Sequence, residues 1–258
     1  MADLVLSVEP ARALIDVPRR LVLVGAAPGE RVSIEAVTLR AGYPWRAEAS
    51  FVADAGGTVD LGVQAPVEGD YAGIRPMGLI TAQAGQGDIF NSDPAEPLET
   101  VVSARVAGRE AKAYLIQSLV AEGVRRIDLS EDGLVGVLYL PATTEPVPAI
   151  MILNGSGGGV NAPRAALWAS RGVAALALGY FGAPGLPRYI SNTPLDYFER
   201  GLAWLRRMAR PKDGFVAVSG QSRGGELALL LGATYPSEVS AVIGYVPSAF
   251  VHGGQAAS

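Results

Sequence analysis

The sequence predicts an α/β protein with two domains, an all-β domain in residues 1–115 and an α/β domain in residues 116–258. Up to about position 113, apolar and polar residues alternate in short runs separated by turn clusters, which is typical of an antiparallel sandwich. After about position 120, short runs that are apolar throughout alternate with helical segments, which is typical of a parallel sheet covered by helices. The charge divides similarly, with 10 basic and 15 acidic residues in 1–115 and 11 basic and 10 acidic residues in 116–258.

The individual elements follow from these patterns in chain order. In the first domain, alternation predicts strands at 21–24, 32–37, 46–51 and 101–106, with turns at 27–29, 54–57 and 67–70. In the second domain, a hairpin at 124–140 turns at 131–133, and apolar runs predict buried strands at 149–153, 173–178, 215–218 and 241–243. Helices are expected at 162–171, 194–209 and 223–235. Tyr197, Phe198 and Trp204 have helical spacing and are expected in the core.

The composition argues against several classes of protein. Hydrophobic residues make up 49% and charged residues 18% of the 258 residues, which excludes disorder for most of the chain. A net charge of −4 argues against a general nucleic-acid binder, and no stretch reaches the roughly 18 apolar residues of a membrane span. The first ten residues lack the features of a secretory signal, and the absence of cysteine excludes a thiolate metal site or a cysteine nucleophile. A cytoplasmic protein is therefore expected.

The motif with the clearest chemistry is Gly220-Gln221-Ser222-Arg223-Gly224, which has the form G-x-S-x-G. It follows a predicted strand and opens a predicted helix, which is the setting of a nucleophile elbow. The glycines suit a turn too tight for side chains, and we expect Ser222 in a strained conformation with its hydroxyl exposed as the nucleophile. The backbone N–H of Arg223 would lie at the helix N-terminus and stabilise an oxyanion. The alternative is an ordinary glycine-rich turn between a strand and a helix.

A second glycine-rich segment, residues 154–159, follows the predicted strand 149–153 directly. In the same arrangement of elements, this loop supplies the other oxyanion N–H, because glycines allow the backbone to approach a substrate closely. The donor is expected to be Gly155, Ser156 or Gly157, and the pattern does not choose among them. A phosphate-binding loop is disfavoured, because neither G-K-[ST] nor G-x-G-x-x-G is present. A plain flexible turn remains the alternative.

Several segments together resemble the acyl-CoA thioesterase and bile-acid-CoA:amino-acid N-acyltransferase family. They include Leu6-Ser7-Val8-Glu9-Pro10, the stretch from Asp70 to Leu79 (DYAGIRPMGL), Ala177-Leu178-Gly179-Tyr180-Phe181, Pro194-Leu195-Asp196-Tyr197-Phe198-Glu199, and the elbow extended to Glu226. The resemblance implies an Ig-like N-terminal sandwich joined to an α/β-hydrolase domain. It also implies acyl thioester substrates and a Ser-Asp-His triad without a metal or other cofactor.

Only Ser222 and the oxyanion loop can be carried over from that family, whose acid and histidine are expected to follow position 258. The hydrolase sheet is accordingly expected to be truncated after about its sixth strand. Because an uncovered strand edge invites pairing, a second chain or subunit is expected to cover it. His252 is the alternative base, with Glu226 or Glu238 as its acid. An exposed loop histidine is the favoured interpretation, with Glu226 forming a salt bridge or packing at the surface.

The function expected from these residues is hydrolysis of an acyl-CoA thioester through an acyl-serine intermediate. Two alternatives remain open: N-acyl transfer from the same intermediate to an amino acid, and a catalytically inactive binding or scaffold protein. The basic residues Arg200, Arg206, Arg207, Arg210 and Lys212 are candidates for contacts with coenzyme A phosphates. A solvated helix end that favours cations is the preferred interpretation of this cluster.

Overall fold

A computed structural model describes residues 3–91, 93–129, 133–250 and 252–253. The chain divides into two compact units, Met1–Leu119 and Val120–Ser258. The predicted division at 115/116 falls inside a strand that continues to Ser118, because its pairing with the preceding strand extends to Gln117. None of the helices in the described part of the chain combines the length and apolarity needed to cross a bilayer.

The first unit consists of nine strands and one short helix. Its elements are β1 Val5–Glu9, β2 Arg12–Leu14, β3 Arg20–Val24, β4 Arg31–Arg40, β5 Tyr43–Val52, β6 Val59–Asp60, β7 Glu68–Gly69, α1 Gly78–Thr81, β8 Leu98–Val106 and β9 Arg109–Ser118. They form a three-stranded sheet, β1-β3-β6, and a six-stranded sheet, β2-β9-β8-β4-β5-β7. Leu23 from the first sheet and Ile34 and Phe51 from the second are all fully buried in one apolar core. Alternate residues of β1, β3, β4 and β5 therefore face that core, as the period-two pattern predicts.

Two parts of this unit differ from the prediction. The segment 67–70, predicted as a turn, contains β7, which pairs with Ala49 and Ser50 of β5. Gly69 makes this close approach possible, because a Cβ there would stand 2.5 Å from the Cα of Ala49. Strand β9 was not predicted, because its alternating positions are filled by charged residues and alanines and its Tyr114 side chain is exposed.

The second unit is a six-stranded sheet covered by helices. Its elements are β10 Arg125–Leu129, β11 Val135–Leu140, β12 Ala149–Leu153, α2 Ala162–Ser170, β13 Ala174–Gly179, α3 Leu195–Ala209, β14 Val216–Gln221, α4 Arg223–Thr234 and β15 Ala241–Tyr245. The strand order is β10-β11-β13-β12-β14-β15, with β11 antiparallel to β10 and β13 and all other pairs parallel. The predicted hairpin is confirmed, although Glu131 and Asp132 of its predicted turn lie outside the described residues.

Both faces of this sheet are buried, which explains the continuous apolar runs. Along β12, Met151 and Leu153 belong to one core and Ile150 and Ile152 to the other. The first core also contains the predicted aromatic residues of α3, Tyr197, Phe198 and Trp204, all buried. Strands β12 and β14 are parallel neighbours, so the loops that follow them emerge at the same edge of the sheet.

Candidate active site

The two glycine-rich segments lie side by side at the carboxyl ends of β12 and β14. Leu153 pairs with Gly220 in the register of these strands, so residues 154–159 and the turn at Ser222 are adjacent. Gly155 packs against that turn, since a Cβ on Gly155 would stand 2.8 Å from the Gln221 carbonyl oxygen. The sheet register therefore brings together the two segments that the sequence assigns to one site.

Ser222 has the strained backbone expected of an elbow. Its φ is 54° and its ψ is −120°, a conformation rarely adopted by residues with a side chain, and it caps the N-terminus of α4. A Cβ on Gly220 would stand 1.9 Å from the Gly224 carbonyl oxygen, and one on Gly224 would stand 2.4 Å from the Asn154 carbonyl oxygen. Only glycine fits at these two positions, and the turn holds the Ser222 side chain exposed to solvent.

Backbone donors without an acceptor among the described residues lie next to the serine, in α4 and in the adjacent glycine loop. Arg223 is the first residue of α4, and its N–H donates to no acceptor among the residues the structure describes. The same is true of the N–H groups of Gly155, Ser156 and Gly157. Gly155 is buried, whereas Ser156 and Gly157 are exposed. Such donors, reinforced by the positive end of the α4 dipole, are suited to binding an oxyanion.

Side chains from neighbouring elements hold the glycine loop in place. The Asn154 side-chain nitrogen donates to the Gly158 carbonyl at 2.5 Å, and the Tyr180 hydroxyl donates to the Asn154 carbonyl at 2.7 Å. Burial raises the pKa of Tyr180 to about 12, so it remains a donor at neutral pH. The sequence assigns no role to Tyr180, and the available signals are its position directly after a buried strand and its place in a segment that resembles the thioesterase family.

A buried carboxylate lies beside the nucleophile. Glu226, only 8% exposed, accepts hydrogen bonds from the Arg223 guanidinium at 3.2 and 3.3 Å and from the His252 backbone N–H. Its Oε2 lies 3.1 Å from Nδ1 of the His252 ring. Burial acts to raise the pKa of Glu226, but these hydrogen bonds and the Arg223 charge outweigh it and lower the pKa below its ordinary value. Glu226 thus forms the salt bridge that the sequence predicts, but its side chain is buried rather than at the surface.

The structure distinguishes the two acids considered for His252. Glu226 contacts the imidazole, whereas Glu238 forms a salt bridge to Nε of Arg206 at 3.0 Å. The His252 side chain is 57% exposed, as expected of a loop histidine. It lines the same cleft of about 620 Å³ as Ser222, but no hydrogen bond joins the two among the described residues.

An apolar cleft of about 280 Å³ continues from this point. It shares Arg223, Glu226 and His252 with the cleft that contains Ser222. Its apolar lining consists of Ile190, Leu195, Phe198, Leu227 and Leu230. A polar nucleophile site is therefore continuous with a groove that suits a hydrocarbon chain.

The basic cluster of α3 makes contacts within the protein. Arg206 donates to the Gly214 carbonyl at 2.6 Å and pairs with Glu238, and the Arg200 guanidinium lies 5.8 Å from the centre of the Tyr197 ring. These contacts favour a structural role for Arg206 and Arg200 at the helix end. In the part of the chain that the structure describes, no three His, Asp or Glu side chains cluster in a way that suits a metal ion.

Comparison with known proteins gives consistent matches along the chain. Residues 16–131 match the family described as "Acyl-CoA thioester hydrolase/BAAT N-terminal region", and residues 193–257 match "BAAT / Acyl-CoA thioester hydrolase C terminal". Acyl-coenzyme A thioesterase 2, mitochondrial, from Mus musculus is 33% identical over 249 residues, covering 92% of this chain and 55% of that protein. Bile acid-CoA:amino acid N-acyltransferase from Mus musculus is 32% identical over 242 residues, covering 87% and 57%. The chain thus spans little more than half the length of these relatives.

Proposed function

We propose that this chain, which belongs to the acyl-CoA thioester hydrolase and bile-acid-CoA:amino-acid N-acyltransferase family, hydrolyses acyl-CoA thioesters with Ser222 as nucleophile. The observation that carries the proposal is the geometry of the elbow. Ser222 is exposed in a strained turn at the start of α4, and the N–H groups of Arg223 and of the adjacent glycine loop have no acceptor among the described residues. An ordinary glycine turn needs neither the strain nor the free donors.

The reaction proceeds through a covalent intermediate. The Ser222 oxygen attacks the thioester carbonyl carbon, its proton passes to a general base, and the carbonyl oxygen becomes an oxyanion. The Arg223 N–H and one of the Gly155, Ser156 and Gly157 N–H groups stabilise that oxyanion. When the tetrahedral intermediate collapses, the carbon–sulfur bond breaks and coenzyme A leaves as the protonated thiol. Water then attacks the acyl-serine and releases the free carboxylic acid.

The general base is the histidine that the family resemblance implies, with His252 as the alternative. The geometry gives His252 one qualification for the role, since Glu226 contacts its Nδ1 and leaves Nε2 available. Its exposure and the absence of a hydrogen bond to Ser222 among the described residues favour the first assignment.

The apolar cleft supports an acyl substrate. It meets the Ser222 cleft at Arg223, so a thioester carbonyl at Ser222 leaves its hydrocarbon chain against Leu195, Phe198 and Leu230. Relatives named as acyl-coenzyme A thioesterases support the same substrate class.

An oxygen nucleophile favours water as the acceptor. An acyl-serine is an ordinary ester, which amines attack less readily than the thioester that a cysteine would form. Amino-acid N-acyl transfer remains the second candidate because a relative is named as such an enzyme. The amide of glycine or taurine among the products would identify it, and a catalytically inactive scaffold would give neither product.

Four finer predictions belong to this proposal. The two sheets that share one core support an Ig-like sandwich in the first unit, and the strand order of the second supports an α/β-hydrolase domain. A cytoplasmic location and a covering second chain remain predictions.

The decisive experiment compares Ser222→Ala with His252→Gln in acyl-CoA hydrolysis by protein that includes the segment with the proposed histidine, following release of the thiol. Ser222→Ala is expected to lower kcat by at least about a thousandfold, and His252→Gln by less than about threefold. Unchanged turnover in Ser222→Ala would overturn the proposal. An equal loss in both variants would instead make His252 the general base.

A further inference from the structure

The first unit contains a cavity of about 480 Å³ that the proposed reaction does not use. Its apolar wall includes Ile15, Val17, Met77, Ile80 and Ile89. Met77 belongs to the stretch from Asp70 to Leu79 that resembles the thioesterase family, and Ile80 follows it in α1; neither lines the Ser222 cleft. The volume is in the range of small-molecule sites.

A buried guanidinium lies in this cavity, and no carboxylate among the described residues pairs with it. Arg40 is 9% exposed, and burial lowers its pKa, with no carboxylate acting against that effect. Asp16 also lines the cavity, but its charge acts on Arg19, which is itself 1% exposed. Uncompensated buried charge is costly, so groups of this kind are usually paired.

The guanidinium is held in one orientation by its neighbours. Its Nη2 donates to the Gln83 side-chain oxygen at 3.0 Å, and Gln83 in turn donates to the Ala36 carbonyl at 3.2 Å. Its carbon lies 5.2 Å from the centre of the Trp45 ring. Gly85 confines that ring, since a Cβ on Gly85 would stand 2.6 Å from Cγ of Trp45. The fold therefore maintains a positioned cation rather than a mobile surface charge.

Three polar atoms behind the wall of this cavity have no partner among the described residues: Nε of Arg40, Nε1 of Trp45 and Oε1 of Gln117. All three residues line the cavity, but these atoms are themselves buried rather than open to it. The chain therefore leaves the polar surroundings of Arg40 incompletely paired.

We infer that this cavity is a second ligand site, which takes an apolar carboxylic acid with its carboxylate on the guanidinium of Arg40. A planar carboxylate matches the fork of a guanidinium, and the aliphatic wall covers a short hydrocarbon chain. The site is independent of Ser222, so its failure and the failure of the proposed hydrolysis are separate results.

Calorimetric titration of the full chain with octanoate tests the inference. The wild-type protein is expected to bind it, and Arg40→Met to bind at least about tenfold more weakly. Arg46→Met is the matched control, because Arg46 is exposed and paired with Glu35 outside the cavity. Ser222→Ala is expected to bind as the wild type does, which distinguishes this site from the nucleophile site.

Two further measurements distinguish a loss of binding from a loss of folding. Thr81→Trp fills the cavity from an exposed position and is expected to abolish binding without removing a charge. Octanol is expected to bind at least about tenfold more weakly than octanoate, since it lacks the carboxylate. Equal binding by wild type and Arg40→Met, equal binding of the alcohol and the acid, or no binding of octanoate would each overturn the inference.

Discussion

Two regions of this protein bury a charge next to a cavity, and they treat it in opposite ways. Beside Ser222, the Glu226 carboxylate accepts hydrogen bonds from Arg223 and His252. In the first unit, the Arg40 guanidinium is equally buried but donates only to the Gln83 side chain and, at 3.4 Å, to the Ile89 carbonyl, and its Nε has no partner among the described residues. The local packing differs as well. The glycines of the Ser222 turn are in close contact with neighbouring backbone atoms, whereas a cavity of about 480 Å³ lies beside Arg40.

The difference shows how buried charge can be interpreted. A carboxylate whose partners all come from the chain is complete, so its role is to hold Arg223 and the His252 segment at the edge of the cleft. A buried guanidinium without an anionic partner keeps an uncompensated charge, and compensating that charge requires an anion that the chain does not supply. The first arrangement is expected to contribute to stability and the second to binding.

The largest effect is expected from crowding at the elbow. Gly220→Ala places a Cβ 1.9 Å from the Gly224 carbonyl oxygen, so the turn must shift. We expect a loss of roughly 3 kcal/mol in unfolding free energy, at the upper end of overpacking effects. Chemical denaturation measures it, with Gly157→Ala as the control, because a Cβ at Gly157 meets nothing within 4 Å. Equal stability of the two variants would contradict the strained geometry at Ser222.

The next-largest effect on stability is expected at Glu226, the carboxylate whose hydrogen-bond partners all come from the chain. Glu226→Gln is expected to cost about 2 kcal/mol at pH 7, because hydrogen bonds to a charged group weaken. The folded-state pKa of Glu226 lies below its ordinary value of 4.5, so its contribution is present above that pH and is lost as the pH falls through the folded pKa. Denaturation of both proteins at pH 7 and pH 3 should show the difference shrinking at the lower pH. A difference that grew on acidification would reverse this assignment.

The smallest effect on stability is expected at Arg40, the buried guanidinium that has no acidic partner among the described residues. Arg40→Met removes a guanidinium that has no acidic partner and replaces it with an apolar side chain. The lost hydrogen bond to Gln83 and the relieved charge burial roughly offset each other, so we expect a change within about 1 kcal/mol. Thermal unfolding in the absence of ligand measures this change. A loss as large as that of Glu226→Gln would mean that Arg40 is a structural residue.

Much of the second unit was predictable because its signals are local. The run 149–153 coincides with β12, and the motif at Gly220–Gly224 lies at the end of β14 and the start of α4, as its spacing predicts. Apolar periodicity and glycine spacing act over a few residues, so the sequence alone carries them. Strand β9 was missed although it follows β8 across the turn at 107–108, because charged residues and alanines fill its alternating positions. The edge strand β7 was missed because its pairing depends on the more distant Ala49 and Ser50.

The sequence by itself determined the two kinds of domain, the elbow at Ser222 and the glycine loop that accompanies it. Only the tertiary structure decided that Glu226 contacts His252 while Glu238 contacts Arg206, and that Arg40 is buried without an anion. The physical reason is that the environment of a charge depends on residues far away in the chain. Arg40 and Gln83, for example, are brought together across 43 positions. Periodicity records which side of an element is apolar, but it does not record which charges meet there.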